Sequence, residues 1–208
     1  MTTTVLSDHL WESEGTSRLL KRVALVVVGI VILGLAAKIK FAVPPSPVPV
    51  TLGTFAVLSL GAAYGPRLGL ITILGYLVLG AIGLDVFAGS SATKYGLAYM
   101  MGSTGGYLVG YVLATLALGF AALKGWDRSV VKMALAMLVG NVLIYVPGVA
   151  WLYHLVSTGM FDPAKYASVW AQTLQWGITP YLIGDAMKLA LAAVLFPALW
   201  KLVGSART

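Results

Sequence analysis

Trp176-Gly-Ile-Thr-Pro-Tyr-Leu-Ile-Gly-Asp-Ala-Met-Lys-Leu-Ala-Leu-Ala-Ala-Val-Leu-Phe-Pro-Ala-Leu-Trp200 is long and apolar enough to cross a bilayer as a helix. It carries Asp185 and Lys188, three residues apart and so on one helix face. An ionisable side chain at membrane depth costs roughly 2.5–3.5 kcal/mol on insertion scales. Opposite charges at this spacing offset part of that cost, yet they still require a polar cavity. The face bearing them is therefore expected to look inward. It serves either a functional site or an ion pair that only locks two helices together.

Composition points the same way along the whole chain. Of 208 residues, 59% are hydrophobic and 10% are charged, where a soluble domain carries about 25% charge. This defines an all-α integral membrane protein. The 24 glycines sit within apolar runs, as close helix packing in lipid favours. Cysteine is absent, which excludes disulfides, thiolate metal sites and Cys nucleophiles. The net charge of +7 lies in loops, with no basic soluble domain to bind nucleic acid.

Outward from the decisive stretch, six spans are expected. Residues 1–17 read as a polar tail, disordered or on the surface, with Asp8, Glu12 and Glu14, and residues 18–204 as a single six-helix domain. The first span covers about Leu19 to Ala37. Val43-Pro-Pro-Ser-Pro-Val-Pro-Val-Thr51 follows, stiff and extended because of its prolines. It is either a plain linker or a lid over a site. Residues 51–64 and 68–84, separated by Gly65-Pro66-Arg67, form a hairpin of short or tilted spans. A Gly/Ser-rich loop then holds Lys94.

The fourth span opens at Gly102 and runs to about Leu123, with Gly102, Gly106 and Gly110 four apart and Tyr107 and Tyr111 on one stripe. The fifth runs to about Val156 and carries Asn141 near its middle, as interhelical glue or as a ligand contact, with Tyr145 one turn on. A polar loop over 157–175 with Asp162 and Lys165 leads to the sixth span.

Loop charge sets an orientation. Arg18, Lys21, Arg22, Arg67, Lys124, Arg128, Lys132, Lys201 and Arg207 fall on one side; Lys38, Lys40, Lys94 and Lys165 fall on the other. The positive-inside rule then makes both termini cytoplasmic. The pocket opens outward beneath three loops, with Asp185 roughly 12 Å and Lys188 roughly 17 Å below the outer end of the sixth helix.

Enzyme chemistry finds no footing. The histidines are His9 in the tail and His154 near a membrane edge, and no zinc-protease or nucleophile-elbow motif occurs. No catalytic or metal-binding residues are expected, and no cofactor. The phosphate-cradling Gly-x-x-x-x-Gly-Lys-Ser/Thr loop is missing as well, so uphill transport would draw on a partner or an ion gradient.

Five stretches carry a family resemblance: Pro47-Val-Pro-Val-Thr-Leu-Gly-Thr-Phe-Ala-Val-Leu58, Gly65-Pro-Arg67, Gly80-Ala-Ile-Gly-Leu-Asp-Val-Phe-Ala-Gly89, Ser103-Thr-Gly-Gly-Tyr-Leu-Val-Gly110 and Gly184-Asp-Ala-Met-Lys188. In consecutive order over about residues 43–203 they resemble BioY, the biotin-specific S component of energy-coupling factor (ECF) transporters. The resemblance implies a six-helix fold in the cell inner membrane, a biotin pocket open to the outside, and loops that close over it. It also implies a transmembrane coupling subunit and two ATPase subunits as partners. Asp185 and Lys188 stand where that family's binding Asp and Lys stand, and Asn141 is similar to a polar position on its fifth helix.

The ligand-binding expectation is thus Asp185, Lys188 and Asn141 around the ureido ring, Tyr107 and Tyr111 beside it, and Lys94 near the carboxylate of the tail. On the first helix Ala24, Gly29 and Gly34 are five apart and do not form the four-residue stripe by which such subunits dock. The alternative reading is a stand-alone or proton-coupled solute transporter with Asp185 as the relay.

Overall fold

The computed structural model describes residues 5–7, 15–41, 44, 46–91, 93–159 and 167–205, the side chains of 15, 16 and 205 aside. Helix α1 spans Gly15–Lys38. Strands β1 (Lys40–Phe41) and β2 (Val50–Thr51) pair antiparallel, Lys40 opposite Thr51. Helix α2 is Gly53–Ala81, α3 is Gly96–Met100, α4 is Gly105–Leu123, α5 is Val130–Ser157, α6 is Val169–Gly177 and α7 is Leu182–Ser205. Among the described residues, five helical runs are long and apolar enough to cross a membrane.

One of these runs, α2, is two helical arms joined at Gly65. There the backbone leaves the helix at φ 74, ψ 178, a conformation glycine adopts without strain. Pro66 follows, suited to open the second arm because it has no N–H to leave unpaired. The chain folds back so sharply that a Cβ built on Gly69 would lie 3.6 Å from Gly61 Cα, although the two are eight residues apart. The expected hairpin of short spans is therefore present. The 53–64 arm rises only about 18 Å, less than the hydrocarbon core.

Helix α4 is the centre of the bundle. Its glycines let neighbours approach to backbone contact: a Cβ on Gly106 would lie 2.2 Å from Pro147 O of α5, and one on Gly119 would lie 2.4 Å from Pro66 N at the hairpin tip. Leu58, Leu118, Met137, Ile144 and Leu152 fill one buried cluster, and Leu33, Val57, Ile73, Tyr76, Phe87 and Leu108 fill a second. Val139, Val142 and Val146 on α5 and Ile183, Met187, Leu191 and Val194 on α7 remain exposed. Apolar helix faces of that extent suit lipid, not water.

Three expectations need correction. First, residues 5–7 do not lie on the surface. Val5 and Leu6 are buried, and Val5 covers the Gly65 turn, 3.0 Å from where its Cβ would stand. The driving force is apolar burial within an otherwise polar tail. Asp8, His9, Glu12 and Glu14 fall outside the described residues.

Second, the 157–175 segment is not all loop. It contains the start of α6, capped by Ser168, whose hydroxyl accepts from Ala171 N at 3.3 Å. Asp162 and Lys165 fall outside the described residues.

Third, the stretch 176–200 is not one helix. Ile178 leaves helical geometry at φ −128, Thr179–Tyr181 forms a 3₁₀ turn, and α7 begins only at Leu182. Pro180 cannot donate the bond that would continue α6.

Candidate functional site

Because α7 starts at Leu182, Asp185 sits in its first turn. It lies about 4.5 Å along the helix and Lys188 about 9 Å, short of the roughly 12 and 17 Å expected for an unbroken sixth helix. The change is favourable for the carboxylate. The unpaired N–H groups and dipole of a helix N-terminus stabilise negative charge.

Lys188 Nζ donates to Asp185 Oδ1 at 3.0 Å, to Thr51 O at 2.7 Å and to Thr54 Oγ1 at 2.9 Å. On the other carboxylate oxygen, Asp185 Oδ2 accepts from the Tyr145 hydroxyl. The pair is nearly dry, with 12% of the lysine side chain and 8% of the aspartate side chain exposed. An ammonium has three N–H donors, and here each has an acceptor. That is what lets a charge pair persist in a low-dielectric setting.

The pair belongs to the lining of a cavity of about 670 Å³ of atom-free space, partly continuous with solvent. Tyr107 and Tyr111 from α4, Asn141 and Tyr145 from α5, and Asp185 and Lys188 from α7 meet there. The structure thus gathers five of the six residues expected from sequence.

Lys94 is the exception. It is exposed and outside the lining, its ammonium lying against Gly102, where a Cβ would be 3.1 Å from Nζ. Its backbone is held in place by reciprocal hydrogen bonds with Ser91.

Other lining residues escaped the sequence reading. Phe87 stacks on Tyr99 with ring centroids 5.0 Å apart and meets Tyr76 edge-on at 5.4 Å. It fits because Gly80 has no side chain: a Cβ there would lie 2.0 Å from the Phe87 ring. Tyr145 stands four residues from Asn141, and this spacing was the available signal that both share one face. Thr51 and Thr54 give no signal in sequence, since their role depends on where the Pro-rich segment folds.

Among the described residues of that segment, 46–51 pack against the cavity. Val48 is buried and lines the cavity. Ser46 Oγ donates to Trp176 O at 2.8 Å, the Tyr181 hydroxyl donates to Val48 O at 2.5 Å, and Ser103 Oγ donates to Pro47 O at 3.3 Å. The loop after α2 forms the facing wall. Lys38 binds Asp85, Phe87 O at 2.9 Å and Ser90 Oγ at 3.3 Å, while Lys40 donates to Ala88 O. Outside the membrane segments, the hydrogen bond from Lys38, then that from Ser90, holds the Asp85 carboxyl below its ordinary value.

An aromatic cavity with an Asp–Lys–Asn floor and a pinned lid is what the five stretches quoted above imply. The profile of the BioY family matches residues 5–205. The chain belongs to the BioY family. Among curated members it is 34% identical over 175 residues to the probable biotin transporter BioY of Pyrococcus horikoshii, covering 84% of this chain and 93% of that one. It is 32% identical over 160 residues to the biotin transporter BioY of Thermotoga maritima, covering 77% and 85%.

Among solved structures, the fold matches the S-component for biotin from an ECF-type ABC transporter. The TM-score is 0.72 over 91% of this chain and 95% of that one, at 21% identity. At that identity the match establishes the fold alone, and the family rests on the profile and the sequence relatives.

Proposed function

We propose that this protein is a membrane-embedded capture subunit that binds biotin for uptake through an ECF-type transporter. It acts without chemistry, consistent with relatives that are named as transporters. The observation that carries this reading is the cavity itself. Its aromatic walls suit a fused bicyclic ring, and its floor of Asp185, Lys188 and Asn141 offers the donors and acceptors a cyclic urea needs. Tyr107 and Tyr111 flank the ring, and the valerate tail leads out toward Lys94. No cofactor enters this function; biotin is the cargo.

The same reading extends to the assembly. Residues 18–204 act as one membrane domain, in the cell inner membrane with both termini in the cytoplasm. The partners that drive uptake are a transmembrane coupling subunit and two ATPases. Gly29 supports a docking mode other than a small-residue stripe on α1, because it already packs inward: a Cβ there would lie 2.7 Å from Thr72. Calorimetry of the purified chain in detergent tests the ligand. Saturable binding of biotin, with none of riboflavin or thiamine, is expected. Heat from all three ligands or from none sinks the proposal.

A further inference from the structure

Helix α6 is not needed to cross the bilayer. The 24 residues of α7 alone rise about 36 Å, against a hydrocarbon core of about 30 Å. Together the two helices form one apolar run of 36 residues, Val169–Gly204. Continued on a single axis, that run would be about 54 Å long and would carry α6 well out of the membrane. The break at Ile178 and the 3₁₀ turn after it release α6 from the axis of α7.

Instead α6 packs on the end of α5. Thr173 and Trp176 are buried, and a Cβ on Gly177 would lie 3.2 Å from Leu152 Cδ2 and 3.5 Å from Val149 Cγ2. Its last two carbonyls are used at the mouth of the cavity: Trp176 O accepts from Ser46 Oγ at 2.8 Å, and Gly177 O from the Tyr107 hydroxyl at 2.9 Å.

The other faces of α6 have no protein against them to the same degree. Trp170 is 54% exposed, and Leu174, one turn on, shares its face and is half-buried. Ala171 and Gln175, also one turn apart, are both exposed on the next face. Trp170 meets the ring of Tyr153 on α5 edge-on, with centroids 5.6 Å apart, and Tyr153 is itself 40% exposed. Tyr153 falls on the same helix face as the exposed Val139, Val142 and Val146, so it continues the lipid-facing stripe of α5. With α5 centred on the bilayer, Tyr153 stands about 14 Å from the midplane, at the edge of the hydrocarbon core. Amphipathic Trp and Tyr rings concentrate at that level.

We propose that α6 is an interfacial helix, anchored by Trp170 and Tyr153 in the phospholipid headgroup layer beside the mouth of the cavity. Its partner is the bilayer surface. Val169–Gly177 carries no charge, so the contact takes zwitterionic lipid without needing an anionic headgroup. Trp170 and Leu174 dip toward the acyl chains, the Gln175 amide stays in water, and the buried face presents the carbonyls that receive Ser46 and Tyr107. The membrane thereby fixes the wall to which the Pro-rich segment is tied. This holds whichever molecule the cavity takes.

The chain has no cysteine, so a single introduced one gives a unique spin-label site. Leu174→Cys, Gln175→Cys and Val142→Cys, the last in the lipid-facing middle of α5, are labelled in the purified full chain and placed in phosphatidylcholine liposomes. Collisions with oxygen, which concentrates in lipid, and with a water-soluble nickel chelate give the depth of each label. The label at 142 should lie near the midplane, that at 174 within about 5–10 Å of the boundary between headgroups and acyl chains, and that at 175 in water. Trp170→Ser should raise nickel collisions at 174 at least about twofold, while Trp170→Tyr, which keeps an amphipathic ring, should leave them unchanged.

Labels at 174 and 175 that both read as water overturn the proposal and leave the Trp170 face to a protein partner. Labels that both lie as deep as 142 overturn it by making α6 part of the span. A label at 174 that stays at the boundary in Trp170→Ser removes Trp170 as the anchor. The labels in the otherwise unaltered chain decide where α6 lies even if Trp170→Ser does not fold.

Discussion

Two lysine–aspartate pairs border the same pocket in opposite surroundings. Lys188–Asp185 lies within the lining, with side chains 12% and 8% exposed; Lys38–Asp85 lies at the rim, with side chains 34% and 69% exposed. Each lysine also binds neutral oxygens: Thr51 O and Thr54 Oγ1 for the inner pair, Phe87 O and Ser90 Oγ for the outer. The shared geometry shows that both lysines are loop tethers as much as charge partners. The difference in exposure decides what removing a partner does. Inside, an orphaned charge finds little water to turn to; outside, solvent replaces the lost partner almost completely.

The largest expected effect tests the inner pair. Asp185→Asn leaves the Lys188 ammonium without its counter-charge, and breaking a buried pair typically costs about 3–5 kcal/mol. Thermal melting in detergent and biotin calorimetry should both report the loss. An Asp185→Asn protein as stable and as tightly binding as wild type would make the two pairs equivalent and end the contrast.

Lys94 sharpens it next. Lys94→Ala should weaken biotin by about fivefold while leaving biotinamide within about twofold, because a partly hydrated carboxylate–ammonium contact is worth only about 1 kcal/mol. If Lys188→Ala rather than Lys94→Ala erases the preference for biotin over its amide, the ligand lies the other way up.

The outer pair should give a small response. Lys38→Ala is expected to destabilise by no more than about 1 kcal/mol, and the difference from wild type should shrink at high salt. A salt-independent loss would show that the carbonyl of Phe87, not Asp85, is the partner that matters.

Smallest of all is the pH response. The carboxyl of Asp85 titrates below its ordinary value, so the contribution of the pair is full above the unfolded value near about 3.9 and disappears as pH falls through the depressed folded one. The melting difference between wild type and Lys38→Ala should stay flat from about pH 8 to 5 and shrink only in stronger acid. A difference already gone at about pH 6 would exclude Asp85 as the group responsible.

What could be read from the chain follows how local each signal was. The (i, i+3) spacing of Asp185 and Lys188, the four-residue spacing of Tyr107 and Tyr111, and the polar Asn141 in an apolar helix are one-dimensional patterns, and all five residues reach the cavity. Gly65-Pro66 announced the hairpin because left-handed backbone followed by a missing N–H leaves few alternatives. Pro180 carried equal information about where α7 starts, but the apolar run through it masked the break. Lys94 sits in a loop, where spacing predicts no direction, and its ammonium turned toward Gly102. The Phe87–Tyr99 stack joins residues from different elements, so no periodicity records it.

The glycines of α4 have a mechanical consequence. With Gly106 against Pro147, Gly110 against Ile144 and Gly119 against Pro66, the hairpin, α4 and α5 meet backbone to backbone, without the flexible side-chain padding that lets helices slide. These elements form a stiff keel. A methyl group anywhere along it would act as a wedge, and whatever gives way when a vitamin enters must be hung from the keel: the strap over the mouth and the loop that Lys38 holds down.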